Sequence, residues 1–224
     1  MKLRPLLATV AQACAIVQAS PASAAPREPT HKWVVDYAEQ QCVASRNYGT
    51  ADQPLFVALK PAPVGDLIQL TVLRKTNHRN EIVEEVPGQV RADDKRPLKV
   101  TMLSYISKDG FKSMRINLSA DQFSTIRGAT VLHVSGTDID ETLRLAQLPQ
   151  LMQALDACVA DLQALYNIAP GAAQKLKSRA SLPHGLIGFF SSEDYPGIAL
   201  FRREGGRSVL SCSSMKKAWS PTAW

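Results

Sequence analysis

Hydrophobic and polar residues alternate along much of the chain as far as residue 134, and this pattern predicts β-strands. The alternating runs are short and rich in β-branched and aromatic residues, and they span residues 32–37, 55–59, 66–73, 81–86, 98–106, 111–118 and 130–134. Turn-forming residues lie between them, including Asp109-Gly110, a dipeptide typical of hairpins, and Pro87-Gly88. Short strands separated in this way predict an antiparallel β-sandwich or a partly open barrel.

Two segments follow a helical rather than an alternating pattern. Ser119 and Gln122 have the spacing of a capping box, and Gly128 can end the short helix that they begin. A longer helix is predicted at about residues 149–166, where apolar residues recur at steps of three and four. Its apolar stripe consists of Leu148, Leu151, Met152, Leu155, Cys158, Val159, Leu162, Leu165 and Tyr166. Such a stripe is typical of a helix packed on a sheet, although it also suits a helix that binds a partner.

The chain therefore divides into a β-rich part and a short end. Residues 25–168 are expected to form the β-rich domain with its closing helix, and residues 169–185 a linker. Residues 186–224 are too few to bury a core of their own. The predicted fold is α+β, with an antiparallel sandwich or partly open barrel packed by one long helix and a short, incomplete αβ tail.

The amino terminus has the pattern of a secretory signal peptide. Lys2 and Arg4 precede a mostly apolar stretch over residues 6–17, and Ala22-Ser23-Ala24 follows as a small-residue cleavage site. Cleavage is expected after Ala24, which would leave residues 25–224 in the periplasm without a transmembrane segment. A membrane anchor fits less well, because polar residues and a proline interrupt the apolar stretch too early.

Export changes what the cysteines are expected to do, because disulfides persist in an oxidising compartment. Cys42, Cys158 and Cys212 remain after cleavage, so one thiol is left unpaired or pairs between chains. Cys42 and Cys158 are the predicted disulfide, since each lies in a well-patterned segment and Cys212 does not. No Cys-x-x-Cys or His-x-x-x-His spacing occurs, so neither a metal nor another cofactor is predicted.

Charge is distributed unevenly between the two parts of the chain. Residues 25–170 contain 16 Lys and Arg against 17 Asp and Glu, whereas residues 171–224 contain eight against three. The basic end could contact an acidic protein or an anionic envelope surface, or could simply be solvated. Nucleic acid is not expected, because the protein is exported and lacks aromatic residues interleaved with basic ones.

No complete catalytic motif occurs in the sequence. The four histidines are isolated, and no Gly-x-Ser-x-Gly elbow accompanies them. Asp138, Asp140 and Glu141 are interpreted as solvated turn residues. A non-enzymatic protein is therefore predicted, with a periplasmic hydrolase whose site is assembled only in the fold as the alternative. A cleft lined by titratable groups around His78 or His133 would favour the enzyme, and a flat strand edge near Val209 would favour binding.

A known family is suggested by residues 193–209. Tyr195, Pro196, Ala199 and Gly206 have the spacing of the opening of the TonB C-terminal domain, in which a Tyr-Pro-x-x-Ala helix and a glycine lead into a β-hairpin. The residues 33–37, Cys42, Tyr48-Gly49 and 155–162 resemble exported sphingomonad proteins that carry such a β-domain ahead of a TonB-type end.

The resemblance implies a protein-binding module of an energy transducer, in a shortened form. Only 15 residues follow Val209, too few for the strands and second helix of the family, so a truncated or frameshifted end is expected. Tyr195, Pro196 and Ala199 are predicted to shape the remnant, with its exposed contacts at Arg202, Arg203 and Arg207. The expected partner is another envelope protein, bound by strand addition.

Overall fold

The computed structural model describes residues 25–38, 41–63, 67–78, 82–169 and 171. Nine strands and two helices lie in this part of the chain. The strands are β1 (Val34–Ala38), β2 (Gln41–Asn47), β3 (Leu55–Pro61), β4 (Leu67–Lys75), β5 (Ile82–Ala92), β6 (Leu98–Ile106), β7 (Phe111–Ser119), β8 (Val131–Gly136) and β9 (Ile139–Arg144). The helices are α1 (Ala120–Ser124) and α2 (Leu148–Leu165).

All nine strands belong to one antiparallel sheet in the order β1-β2-β3-β4-β7-β6-β5-β8-β9. The sheet curls into a half-barrel, and the long helix α2 packs against β1 and β2. The predicted α+β class is therefore confirmed, as a partly open barrel with one packing helix. Within the described residues, neither helix has the length and apolar character needed to cross a membrane.

The core lies on the inner face of the curled sheet, because alternate residues of each strand point inward. In β7, for example, Met114, Ile116 and Leu118 are buried, whereas Arg115 and Asn117 between them are exposed. The stripe of α2 covers one end of this core with Leu148, Leu151, Met152, Leu155, Cys158 and Leu162. Helix α1 begins with the predicted capping box, formed between Ser119 and Gln122.

A disulfide joins the inner face of β2 to α2. Cys42 and Cys158, the predicted pair, are bonded with their Cα atoms 6.0 Å apart and 116 residues apart in sequence. Both residues are buried in the core. The bond therefore fixes the helix over the end of the half-barrel that α2 covers.

Residues 25–31, which we call the strap, connect the two ends of the curled sheet. The Arg27 backbone N–H donates to the carbonyl of Thr142 on β9, at 2.7 Å, and the Arg27 carbonyl accepts from Arg144 at 3.0 Å. Further along, the Thr30 N–H donates to the carbonyl of Asn47 at the end of β2, at 3.0 Å. The strap thus bridges β9 and the end of β2 by backbone hydrogen bonds.

Two turn assignments made from the sequence were wrong. Pro87 and Gly88 lie inside β5 rather than in a turn. Proline is tolerated there because β8 pairs with β5 only from Gly88 onward, so no partner strand lies on the other side of Pro87 to need its N–H. A side chain at Gly88 would collide with Met102, which crosses the inner face beneath it. Of Asp138, Asp140 and Glu141, which were interpreted as turn residues, Asp138 lies in the turn, whereas Asp140 and Glu141 belong to β9.

Tyr48 lies buried beside the strap, and its hydroxyl donates to the carbonyl of Arg144 at 2.9 Å. Burial raises the pKa of Tyr48 to about 12, against an opposing effect of Arg46. Because an unfolded tyrosine has a pKa near 10, this group stabilises the fold fully below about pH 10, and that contribution is lost as pH rises towards 12.

We therefore expect a Tyr48→Phe variant to be about 1 kcal/mol less stable than wild type near neutral pH, because it lacks one hydrogen bond. The difference should narrow or reverse above about pH 10, because ionisation of Tyr48 then stabilises the unfolded wild type, whereas the variant has no such group. Urea unfolding of both proteins from neutral pH to above about pH 10 measures this difference in stability. A difference that stays constant with pH would contradict the assignment.

Candidate functional site

A polar cleft of about 410 Å³ opens where the β2–β3 loop, the end of β4, the strap and β9 meet. Its lining is polar apart from Pro54 and Leu55, and it includes Asp52, Gln53, Arg74, Thr76, Asn77 and Glu141. A smaller hollow of about 210 Å³ adjoins it, sharing Arg74, Thr76 and Asn77 and adding His78, Lys112 and Asp138. We call the cleft and the hollow together the mouth.

Two cations are set side by side at the inner edge of the mouth. Arg74 on β4 and Lys112 on β7 are directly opposite each other in the register of the two strands. Both lie on the inward-facing side of their strands, and Lys112 is only 5% exposed. Like charges placed opposite each other are unfavourable. The pair therefore needs negative groups nearby.

Asp138 supplies part of that negative charge from across the barrel. It lies in the tight turn between β8 and β9, and its carboxylate accepts from Lys112 Nζ at 2.6 Å. This hydrogen bond, with the Lys112 charge, holds the pKa of Asp138 below its usual value. Arg74 donates to the backbone carbonyl of Asp138 rather than to its carboxylate. The tip of the hairpin is thereby tied to β4 and β7.

The opposite wall of the mouth contains a second ion pair. Glu141 is buried on the inner face of β9, at 8% exposure, and its carboxylate lies 2.8 Å from Arg27 Nε. Because Arg27 belongs to the strap, this ion pair depends on the strap being in place. Glu141 was expected to be solvated, and that expectation was wrong because β9 extends through it and turns it inward.

The β2–β3 loop is held against the mouth by a tight turn around Gly49. The Tyr48 N–H donates to Leu55 O at 2.7 Å, and the Thr50 N–H donates to Gln53 O at 3.1 Å. A Cβ atom at Gly49 would collide with the backbone of the Gln53–Leu55 segment, which cannot move away as a side chain could. Glycine at this position is therefore required to bring Asp52 and Gln53 to the cleft.

The two histidines singled out in the sequence differ in their surroundings. His78 lines the hollow of the mouth, as the enzyme alternative required. His133 lies on β8 with its Nε2 2.6 Å from the exposed carboxylate of Asp140, and it lines neither part of the mouth. Within the described residues, no group of three or more His, Cys, Asp or Glu side chains could hold a metal ion.

Most charged side chains of the mouth are engaged with one another. Among the described residues that line it, Thr76 carries the hydroxyl group, and neither serine nor cysteine is present. Lys112, Asp138, Arg27 and Glu141 are engaged in ion pairs that fix the walls. Arg74 differs from them, because its Nε atom is buried without a hydrogen-bond partner.

The structure does not describe the binding residues predicted from the sequence. Tyr195, Pro196, Ala199, Arg202, Arg203 and Arg207 all lie outside the described residues, as do the edge near Val209 and Cys212. The mouth was not predicted from the sequence. One sequence feature does indicate it, since Lys112 shares the apolar face of β7 with Met114 and Ile116. Glu141 likewise lies between Ile139 and Leu143 on β9.

Comparison with known proteins gave no relatives. The chain matches no protein-family model, no curated protein and no solved structure.

Proposed function

We propose that this chain is an exported, non-enzymatic protein of the periplasm that binds another envelope protein, and that the mouth holds part of that partner. The observation that carries the proposal is the mouth itself, a polar cleft of about 410 Å³ open to solvent at one end of the half-barrel. Its volume lies in the range of ordinary ligand sites, whereas its polar lining suits a charged or hydrogen-bonding group rather than an apolar one.

The rigidity of the mouth supports a binding role. The Lys112–Asp138 pair joins β7 to the β8–β9 turn, and the Arg27–Glu141 pair joins the strap to β9 beside it, so these charged groups are held in place before any partner arrives. A preformed site avoids the entropic cost of ordering side chains on binding. Water can still reach the cleft, so the mouth lacks the enclosure that helps an enzyme strengthen charge interactions.

Export is supported by the disulfide and by the amino-terminal sequence. A bond between Cys42 and Cys158 would persist in the periplasm but would be rare in the reducing cytoplasm. The proposed signal peptide over residues 1–24 would deliver the chain to that compartment.

Residues 186–224 are proposed as a second contact with the same partner. Their resemblance to part of a TonB-type module, and the basic residues Arg202, Arg203 and Arg207, support this role. In this proposal the segment binds an envelope protein, as a TonB-type module would. The mouth and the basic tail would each contribute separately to affinity.

The test is recovery of partners from envelope extract by residues 25–224, with the captured proteins identified by mass spectrometry. We expect one envelope protein to be recovered by wild type and depleted by either Arg74→Gln or the double variant Arg202→Glu/Arg203→Glu. Arg115→Gln serves as the matched control, because Arg115 is exposed on the outer face of β7, away from the mouth. Identical partner sets for all four proteins would refute the proposal.

The hydrolase alternative keeps one specific observation in its favour, which is that His78 lines the hollow beside Lys112 and Asp138. Water could serve as the nucleophile in such an enzyme. Assays with nitrophenyl esters and phosphates measure this directly. Saturable turnover that disappears in His78→Ala would establish the enzyme and overturn the non-enzymatic part of the proposal.

A further inference from the structure

We infer that the mouth binds a single carboxylate group, which is held by Arg74 and supplied by an acidic side chain of the partner protein. The inference rests on the proposed function, because it names the chemistry that the same site recognises. Four observations lead to it: the unmatched charge of Arg74, the charge balance of the mouth, its polar lining and its open shape.

Arg74 is the inward-facing cation of the mouth that has no carboxylate of its own within the described residues. Lys112 is paired with Asp138, and Arg27 is paired with Glu141. Arg74 donates to the backbone carbonyl of Asp138, and it shares with Lys112 the nearby carboxylate of that residue, while its Nε atom is buried without an acceptor. A buried donor without an acceptor is costly, and the cost is larger for a charged group. A carboxylate entering the mouth would pair with the guanidinium charge of Arg74.

The charge balance of the mouth indicates how many negative charges it accepts. Its described cations are Arg27, Arg74, Lys75 and Lys112, and its described carboxylates are Asp52, Asp138 and Glu141. Four positive charges against three negative ones leave a surplus of one. A monoanion neutralises that surplus, whereas a dianionic phosphate would leave a net negative charge beside three carboxylates. A carboxylate is therefore favoured over a doubly charged phosphate.

The remaining lining and the shape of the mouth suit a side chain that enters from outside. Gln53, Thr76 and Asn77 offer both donors and acceptors for the peptide groups that would accompany it. The cleft is open to solvent between the strap and the β2–β3 loop, so a segment of another chain can reach Arg74. A free organic acid offers the same carboxylate, and the experiment separates these two sources.

The test is a direct titration of residues 25–224 with small probes. Binding is monitored through the NMR chemical shifts of the Asn77 and His78 backbone amides. The matched pair is N-acetyl-glutamate α-amide, which has one carboxylate, and N-acetyl-glutamine α-amide, which is its neutral isostere. D-glucuronate and D-glucose form the second pair, and inorganic phosphate is included. We expect the glutamate probe to bind about tenfold more tightly than the glutamine probe, because a charge-assisted hydrogen bond is lost in the latter. Glucuronate should bind more weakly than the glutamate probe.

Variants assign the preference to the mouth. Arg74→Gln should bind the two glutamyl probes equally, and Arg115→Gln on the outer face should keep the wild-type preference. Should Arg74→Gln fail to fold, Asn77→Asp adds a negative charge to an exposed position of the mouth and should also weaken the glutamate probe. Equal affinity of the wild type for the glutamate and glutamine probes overturns the inference. Phosphate or glucuronate that binds more tightly than the glutamate probe does so too. An unchanged preference for the glutamate probe in both Arg74→Gln and Asn77→Asp also overturns it.

Negative results of the probe experiment and of the partner experiment refute different proposals. Probe binding without any recovered envelope protein would leave the carboxylate site standing and refute the proposed function. A recovered partner that Arg74→Gln still binds, and that the glutamate probe does not displace, would support an envelope-protein partner and refute this inference.

Discussion

Replacing Cys42 and Cys158 together by alanine is expected to lower the free energy of unfolding by about 4–5 kcal/mol, because the bond closes a loop of more than one hundred residues in the unfolded chain. This is a large part of the roughly 5–15 kcal/mol that ordinary domains have. The loss should be measured by urea denaturation of residues 25–224, as a midpoint at lower urea with a steeper slope, because the unfolded chain without the bond exposes more surface.

Two controls separate the bond from other effects of the substitutions. Cys212→Ala should leave the unfolding midpoint unchanged, since Cys212 is not part of the bond. Reduction of the wild type should produce nearly the same loss as the double alanine variant. A wild type that unfolds at the same urea concentration with and without reductant would show that the bond contributes little.

Arg46→Ala is expected to destabilise the protein by about 3 kcal/mol, because a buried side chain and its hydrogen bonds are lost together. Arg46 is 5% exposed at the end of β2. Its guanidinium lies 5.4 Å from the centre of the Trp33 ring and donates to the carbonyls of His31 and Ala146. It therefore joins β2, the strap and the loop before α2 at one point.

The matched comparison is Arg115→Ala, which removes the same side chain from an exposed position and should change stability by less than about 0.5 kcal/mol. Arg46→Lys should recover only part of the loss, because an ammonium group cannot reproduce the planar fork of donors. Equal destabilisation by Arg46→Ala and Arg115→Ala would mean that the interactions of Arg46 do not stabilise the fold.

The alternation of apolar and polar residues predicted most of the architecture. The strands that it did not predict have local causes. Strands such as β6 and β7 combine an apolar inner face with a polar outer one, so their pattern predicted them correctly. β2 was missed because its inner face carries the charged Arg46, and because Cys42 and Ala44 beside it are neither β-branched nor aromatic. β9 was missed because Asp140 and Glu141 resemble turn residues, although only Asp140 faces water.

The candidate site was much less predictable than the fold. In the sequence, each of its residues can be explained as an ordinary surface or turn residue. Only the pairing of β4 with β7 brings Arg74 next to Lys112. The approach of Asp138 depends on the curl of the barrel, which no local pattern encodes. A charged residue in register with buried apolar ones, such as Lys112 among the methionine and isoleucine of β7, is the nearest thing to an advance signal.

The strap also sets a constraint on the order of folding. It is the earliest described segment to be synthesised, yet its Glu28 side chain contacts Arg144, 116 residues later. Contacts so distant in sequence form slowly, because the intervening chain must first be brought together. We therefore expect the strap to dock last, after β9 has formed. Until then the edge of β9 is open, and the folding chain is most vulnerable to pairing with its neighbours.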